Sequence, residues 1–265
     1  MPLALRLMEL PADPARKVMS AARRLQPWAA AAVVGSFLAR RGPAAAALVL
    51  PWLLVTGLVA LHGGMRFARG ARTAAEMALA AGCVMLPVGG GWLLLSRLGV
   101  TPLGFEEPLV LLTAVHFHYA AFGSLVLTGL AGRAAGHGGS FRLIAAGAMA
   151  GPPLLAAGIT LSPILELLAA TILVLALSAL ALLTLVRIAP RLPGVPRLLL
   201  TLSSVSILGG MACALAYAVG QFTDVGIISL GRMARIHGPL NALGFVLCGL
   251  VAWTLAPRNL PPATL

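Results

Sequence analysis

The sequence has 265 residues, 60% of them hydrophobic and 10% charged, and its mean hydropathy is +0.98. Soluble domains carry about 25% charged residues, so this chain cannot cover a water-facing surface with polar groups, and a soluble globular enzyme is excluded. The net charge of +12 comes from Arg residues placed between apolar runs, so we expect the lipid bilayer as partner and no nucleic acid.

Apolar runs long enough to cross a bilayer recur along the chain. A crossing helix needs about 20 apolar residues, and seven stretches meet that length: residues 44–62, 74–98, 108–132, 141–160, 163–186, 197–219 and 236–256. Residues 27–39 form an eighth, shorter run. The pattern predicts an all-α, polytopic transmembrane helix bundle of seven to eight spans. We expect a cytoplasmic amphipathic lead-in over 1–26, the bundle over 27–256 and a cytoplasmic tail over 257–265.

The distribution of Arg predicts how the bundle is oriented. Basic residues cluster in every second loop, around 66–72, 133–142 and 187–197, and cytoplasmic loops are the ones enriched in Lys and Arg. With the basic N-terminal stretch also inside, residues 27–39 have to cross, which gives eight helices. Arg40 and Arg41 then lie outside, against the rule, so a seven-helix layout with an external N-terminus stays open.

Small residues predict close helix packing. Gly147 and Gly151 form a GxxxG pair, and Gly89 and Gly210 belong to glycine runs within two other spans. Such positions let helix backbones approach closely in lipid. The three Cys residues lie in apolar runs without CxxC spacing, so we expect neither a disulfide framework nor a thiolate metal site.

Two histidine motifs lie within the spans, where ionisable groups are costly and usually mark function. His116 and His118 occur in LTAVHFHYAAFGS, roughly 12 to 15 Å from the outer end of their span at the rise of a helix. Residues two apart on a helix point in nearly opposite directions, so this pair is poorly placed to chelate one metal. His237 and Asn241 flank Pro239 and share one helix face. We expect a site that combines both motifs in the outer half of the membrane.

The candidate site residues form two groups. The candidates for the chemical step are His116, His118, Tyr119, His237 and Asn241. The candidates for substrate binding are Thr113, Glu166, Arg232 and Arg235. The two Arg residues suit an anionic headgroup, whereas Glu166 also suits stabilisation of a helix N-terminus. We expect no metal and no cofactor.

The motifs HFHYAAF and MARIHGPLNALGF, in this order and in a polytopic layout, resemble the YndJ-like family of bacterial integral membrane proteins. The matching residues are His116, Phe117, His118 and Tyr119 in the first motif and His237, Gly238, Asn241, Gly244 and Phe245 in the second. The resemblance covers about residues 40–256 and leaves out the first 40. It implies a multi-pass protein of the bacterial plasma membrane and no established reaction.

Three hypotheses for the function follow. The favoured one is a membrane-embedded enzyme that uses histidine as acid and base to isomerise, cyclise or hydrate a hydrophobic lipid or isoprenoid-like substrate. The second is a metal-dependent membrane hydrolase with His and Glu166 or Asp224 as ligands. The third is a proton-coupled transporter, or a structural membrane protein whose His side chains join helices at about 1 kcal/mol per contact.

Overall fold

In the computed structural model of the chain, the described residues are 1–8, 15–136 and 138–257, and their regular elements are helices. The α-helices are α1 (Pro2–Leu7), α2 (Arg16–Leu38), α3 (Pro43–Ala47), α4 (Leu50–Ala68), α5 (Ala74–Leu98), α6 (Leu109–His116), α7 (Ser124–Ala135), α8 (Gly139–Leu161), α9 (Pro163–Leu183), α10 (Gly194–Thr223), α11 (Leu230–Pro239) and α12 (Cys248–Leu255). π-Helical segments occupy Phe117–Gly123, Thr184–Ile188 and Leu240–Leu247, and short 3-10 helices occupy Pro102–Gly104 and Ala189–Arg191.

Within the described ranges, seven helical stretches are long and apolar enough to cross a membrane. They are Pro43–Ala68, Ala74–Leu98, Leu109–Ala135, Gly139–Leu161, Pro163–Arg191, Gly194–Thr223 and Leu230–Leu255. Each contains or overlaps one of the seven predicted apolar runs. The prediction of an all-α polytopic bundle is therefore confirmed.

Glycine and proline set several helix boundaries. Gly99 follows α5 with φ of +83°, and Gly136 follows α7 with φ of +88°, a backbone conformation that glycine adopts without steric cost at a helix C-terminus. Pro163 opens α9 at a position where a missing N–H costs nothing. These residues therefore mark the ends of α5 and α7 and the start of α9.

The chain divides into two compact units. Unit 1 comprises Met1–Arg72 and Leu79–Gly123, and unit 2 comprises Thr73–Ala78 with the described residues from Ser124 onward. In unit 1, α2 packs against α4. The 23 residues of α2 give a helix of roughly 34 Å, and residues 27–38 form its apolar half, so the predicted boundary at residue 26 falls inside a continuous helix.

Arg97 joins the C-terminal ends of α2 and α5 in unit 1. Its side chain is 5% exposed, and it donates hydrogen bonds to the carbonyls of Ser36 at 2.8 Å and Ala39 at 2.9 Å. The guanidinium also lies 4.7 Å from the ring centroid of Phe37. Because the last carbonyls of a helix lack intrahelical partners, this cation satisfies the end of α2. The same end of unit 1 holds Glu107, which pairs with Arg41 at 3.6 Å.

In unit 2, α8 packs against α9 along a line of glycines. A Cβ atom at Gly147 would lie 2.9 Å from Cβ of Ala176, and one at Gly151 would lie 2.7 Å from Leu173. Both distances are too short for real atoms, so only glycine permits this approach. The GxxxG pair therefore packs helices, as the sequence predicts.

We predict that Gly151→Leu destabilises unit 2 by about 1 to 3 kcal/mol, the usual cost of overpacking a filled interface. The matched control is Gly91→Leu, because no atom lies within 4 Å of a Cβ built at Gly91. Thermal unfolding in detergent measures both variants. Equal melting temperatures for the two would contradict this account of the α8–α9 contact.

Candidate functional site

The first histidine motif lies where an α-helix changes to a π-helix. Helix α6 ends at His116, and the π-helical segment begins at Phe117. Each i→i+5 hydrogen bond encloses one more residue than the i→i+4 bond of an α-helix, so the helix is wider, and such segments recur at functional sites. His118 is the second residue of this wider, π-helical segment.

Both ring nitrogens of His118 are hydrogen-bonded within unit 1. Nδ1 lies 2.8 Å from the carbonyl oxygen of Ala114, and the indole Nε1 of Trp52 lies 2.9 Å from Nε2. A carbonyl only accepts and an indole N–H only donates, so the proton must be on Nδ1 and the lone pair on Nε2. The Trp52 and His118 rings also stack, with centroids 5.8 Å apart.

The ring of His118 rests against Gly89 of α5. A Cβ atom at residue 89 would lie 2.6 Å from Nδ1 of His118, so the ring occupies space that any larger residue would fill. The glycine run in this span therefore makes room for the imidazole.

The other candidates of the first motif lie near His118 in the chain but have different surroundings. His116 is half-buried and makes an edge contact with Phe117, with ring centroids 6.2 Å apart. The Thr113 hydroxyl donates to the carbonyl of Leu109 in its own helix at 2.8 Å. Tyr119 is 37% exposed.

The second motif repeats the arrangement in unit 2. Helix α11 ends at Pro239, and a π-helical segment follows from Leu240. Nδ1 of His237 lies 2.8 Å from the carbonyl oxygen of Gly210 in α10, and Nδ2 of Asn241 lies 2.6 Å from Nε2 of His237. His237 therefore donates from Nδ1 and accepts at Nε2, as His118 does.

Glycine again makes room for the polar side chain. A Cβ atom at Gly210 would lie 2.6 Å from Oδ1 of Asn241, whose side chain is 7% exposed. That oxygen is buried without a hydrogen-bond partner among the described residues. About two helical turns before Gly210 on α10, the Ser203 hydroxyl donates to the carbonyl of Phe245 at 2.7 Å. The contact between α10 and the second motif thus contains several polar groups.

We call the shared arrangement a histidine clamp: an imidazole whose Nδ1–H binds a backbone carbonyl and whose Nε2 accepts from an N–H of another side chain. The His118 clamp uses Ala114 and Trp52, and the His237 clamp uses Gly210 and Asn241. The first lies in unit 1 and the second in unit 2, and each is complete within its own unit.

The predicted substrate-binding residues of unit 2 occupy other surroundings. Arg232 and Arg235 are exposed, and Nε of Arg235 donates to the carbonyl of Gly231 at 3.1 Å. Glu166 lies in the first turn of α9, where the backbone packs so closely on Gly158 that a Cβ there would collide with it. This position fits stabilisation of the helix N-terminus.

Metal-binding groups are absent from the described part of each unit. Within residues 1–8, 15–136 and 138–257, no three His, Cys, Asp or Glu side chains come together in a group able to hold a metal. The metal-ligand set suggested for the second hypothesis, which included Glu166 or Asp224, is therefore not assembled within unit 2.

Sequence reasoning missed the partners of the histidines and one buried cation. Trp52 is 66 residues from His118 along the chain, and Gly210 contributes only a carbonyl, which leaves no trace in residue type. Arg97, in the last turn of α5, was not among the residues that the sequence singled out. The residue type of Trp52 could have indicated a polar partner within the membrane, since a buried indole N–H usually needs an acceptor.

Comparisons with known proteins agree with the membrane architecture. The family model described as "YndJ-like protein" matches residues 1–245. The "Uncharacterized membrane protein YndJ" of Bacillus subtilis (strain 168) is 31% identical over 181 residues, which cover 68% of this chain and 33% of that protein. The chain thus spans about a third of that relative's length. No solved structure matches.

The extent of the match corrects one expectation. The first 40 residues were expected to fall outside the resemblance, but the family model begins at residue 1 and ends at residue 245. The two motifs that carry the resemblance begin beyond residue 110, so they hold no information about the N-terminal helices.

We predict that Trp52→Phe lowers the free energy of unfolding by about 1 kcal/mol or somewhat more, because the phenyl ring keeps most of the packing but leaves Nε2 of His118 unpaired. Trp28→Phe is the matched control, since Trp28 is 78% exposed on α2. Denaturation with increasing SDS in mixed micelles compares the two. If both variants unfold like the parent protein, the Trp52 hydrogen bond does not hold unit 1 together.

Proposed function

The chain belongs to the YndJ-like protein family, and from that membership and the geometry of the two motifs we propose that it is a structural helical module of the bacterial plasma membrane. In this proposal the His118 and His237 clamps hold helices together as neutral hydrogen-bonded groups. The observation that carries it is that both nitrogens of each imidazole already have a partner within the same unit.

The hydrogen bonding of the rings argues against acid–base chemistry at these two residues. A general base needs a lone pair within reach of the substrate proton. In each clamp the lone pair on Nε2 accepts from Trp52 or Asn241, and the Nδ1 proton binds a carbonyl. A substrate would have to break one of these bonds before either ring took part in a reaction.

The same geometry argues against a metal and a proton relay at the clamps. A metal would need the Nε2 lone pair, which is already occupied. A relay histidine alternates between its two nitrogens, and here the acceptor-only carbonyl beside Nδ1 fixes one tautomer. A structural role requires no change in these hydrogen bonds. Interhelical hydrogen bonds of this kind contribute roughly 0.6 to 2 kcal/mol each to helix association in lipid.

A second candidate function is the membrane-embedded acid–base enzyme acting on a hydrophobic lipid or isoprenoid-like substrate. The observation that favours it is the coincidence of both histidine motifs with π-helical segments, which recur at functional sites. In this alternative His116, with Thr113 and Tyr119 nearby in sequence, is the remaining candidate of the first motif.

Replacement of each histidine by Gln separates the two functions. A carboxamide keeps one N–H donor and one acceptor but does not titrate near neutral pH, so it can replace a clamp and cannot replace an acid–base catalyst. For a structural module, we expect His118→Gln and His237→Gln to stay within about 0.5 kcal/mol of the parent stability, whereas the Ala variants lose about 1 to 2 kcal/mol.

The readouts are detergent unfolding of the purified variants and the lipid and isoprenoid profile of a host that carries each one. Gln variants that fold normally but change the profile as much as a deletion would overturn the structural proposal and favour the enzyme. An unchanged profile with the stated order of stability supports the module.

A further inference from the structure

A polar cavity opens between α1 and α2 in unit 1, and its lining residues belong to neither clamp. Its volume is about 320 Å³, and its polar lining comes from Arg6 on α1 and from Ser20, Arg23, Arg24 and Gln26 on α2. None of the described residues that line it is acidic. Three guanidinium groups around one cavity favour an anionic ligand.

The two outer arginines of this cavity are accessible. Arg6 and Arg24 are both exposed, so a ligand can approach their donor groups without unfolding the helices. Arginine presents its N–H groups in a planar fork that matches phosphate oxygens in a bidentate manner. The side-chain chemistry therefore points to a phosphate-bearing ligand.

The inner wall of the cavity contains a buried amide. Gln26 is 7% exposed as a whole residue, and it lines the cavity. A buried amide is costly unless it is hydrogen-bonded. A ligand oxygen that enters the cavity would supply that partner.

The position of the cavity along α2 indicates where the ligand comes from. Beyond Gln26 the helix becomes apolar, and its exposed side chains include Trp28 at 78% and Leu38 at 87%. Before it, α2 carries Arg16 and Lys17. The cavity thus lies where the basic half of α2 meets its apolar half. In a bilayer, such a junction lies at the level of the lipid headgroups.

We infer that this cavity binds the headgroup phosphate of an anionic phospholipid. Arg6 and Arg24 contact the phosphate oxygens, and Gln26 donates to the headgroup from the inner wall. Basic pockets among helices on the cytoplasmic side bind anionic headgroups in this way. The inference does not depend on the role of the clamps.

The proposed lipid site can be tested by measuring how phosphatidylglycerol and phosphatidylcholine bind to the full chain in detergent micelles. Native mass spectrometry counts the lipid that each protein retains. We expect tighter binding of phosphatidylglycerol, and a loss of about tenfold or more in affinity for Arg6→Gln/Arg24→Gln, since each arginine near an anionic surface contributes severalfold. The matched control is Arg142→Gln/Arg197→Gln, which removes the same charge from exposed positions on α8 and α10.

Equal binding of the two lipids by the parent chain, or an equal loss in the control pair, would overturn the inference. Gln26→Leu is a second variant that leaves the charges in place, and we expect it to weaken phosphatidylglycerol binding about threefold while folding is retained. If Gln26→Leu binds like the parent, the cavity is not the site.

Inorganic phosphate distinguishes a lipid from a free anion. We expect millimolar phosphate to leave phosphatidylglycerol bound, because the acyl chains add contact with the apolar half of α2. Displacement at micromolar phosphate would identify a free-phosphate site and overturn the assignment to lipid.

Discussion

Water does not enter the hydrocarbon core of a bilayer, so each polar group at that depth must find its hydrogen-bond partner inside the protein. This constraint applies to the imidazoles of His118 and His237, because each neutral ring carries one donor and one acceptor that must both be satisfied. The partners of His118 are Ala114 and Trp52, and those of His237 are Gly210 and Asn241. These four hydrogen bonds satisfy both imidazoles within the protein.

The two clamps share their construction although they lie in different units. His118 is the second residue of a π-helical segment, and His237 lies in the last turn of the α-helix that leads into one. Each clamp rests on a glycine whose Cβ would occupy the space of a polar atom. In each, a backbone carbonyl fixes the proton on Nδ1. Since both imidazoles are held in this way, their hydrogen bonds stabilise the association of helices in the proposed function. The basic residues of α1 and α2 have a different proposed role, which is to contact the lipid headgroups.

Hydropathy alone predicted the helical class and the seven spans, because a bilayer demands about 20 apolar residues wherever a helix crosses. Spacing also predicted that His237 and Asn241 share a face, and the GxxxG signal predicted the close approach at Gly151. The hydrogen bond from Trp52 to His118 and the contact of His118 with Gly89 were beyond prediction, because both residues come from other helices and such contacts leave no periodic signal. Arg97 shows the same limit, since only the fold brings it to the carbonyls of α2.

The central claim is that both imidazoles are neutral, with the proton on Nδ1. Nitrogen-15 NMR of histidine-labelled protein in lipid bilayers measures this directly, with the His118 and His237 signals assigned by their disappearance in single Gln variants. We expect a protonated Nδ1 and a lone-pair Nε2 for both residues at neutral pH. A proton on Nε2, or a doubly protonated ring, at either residue would contradict it.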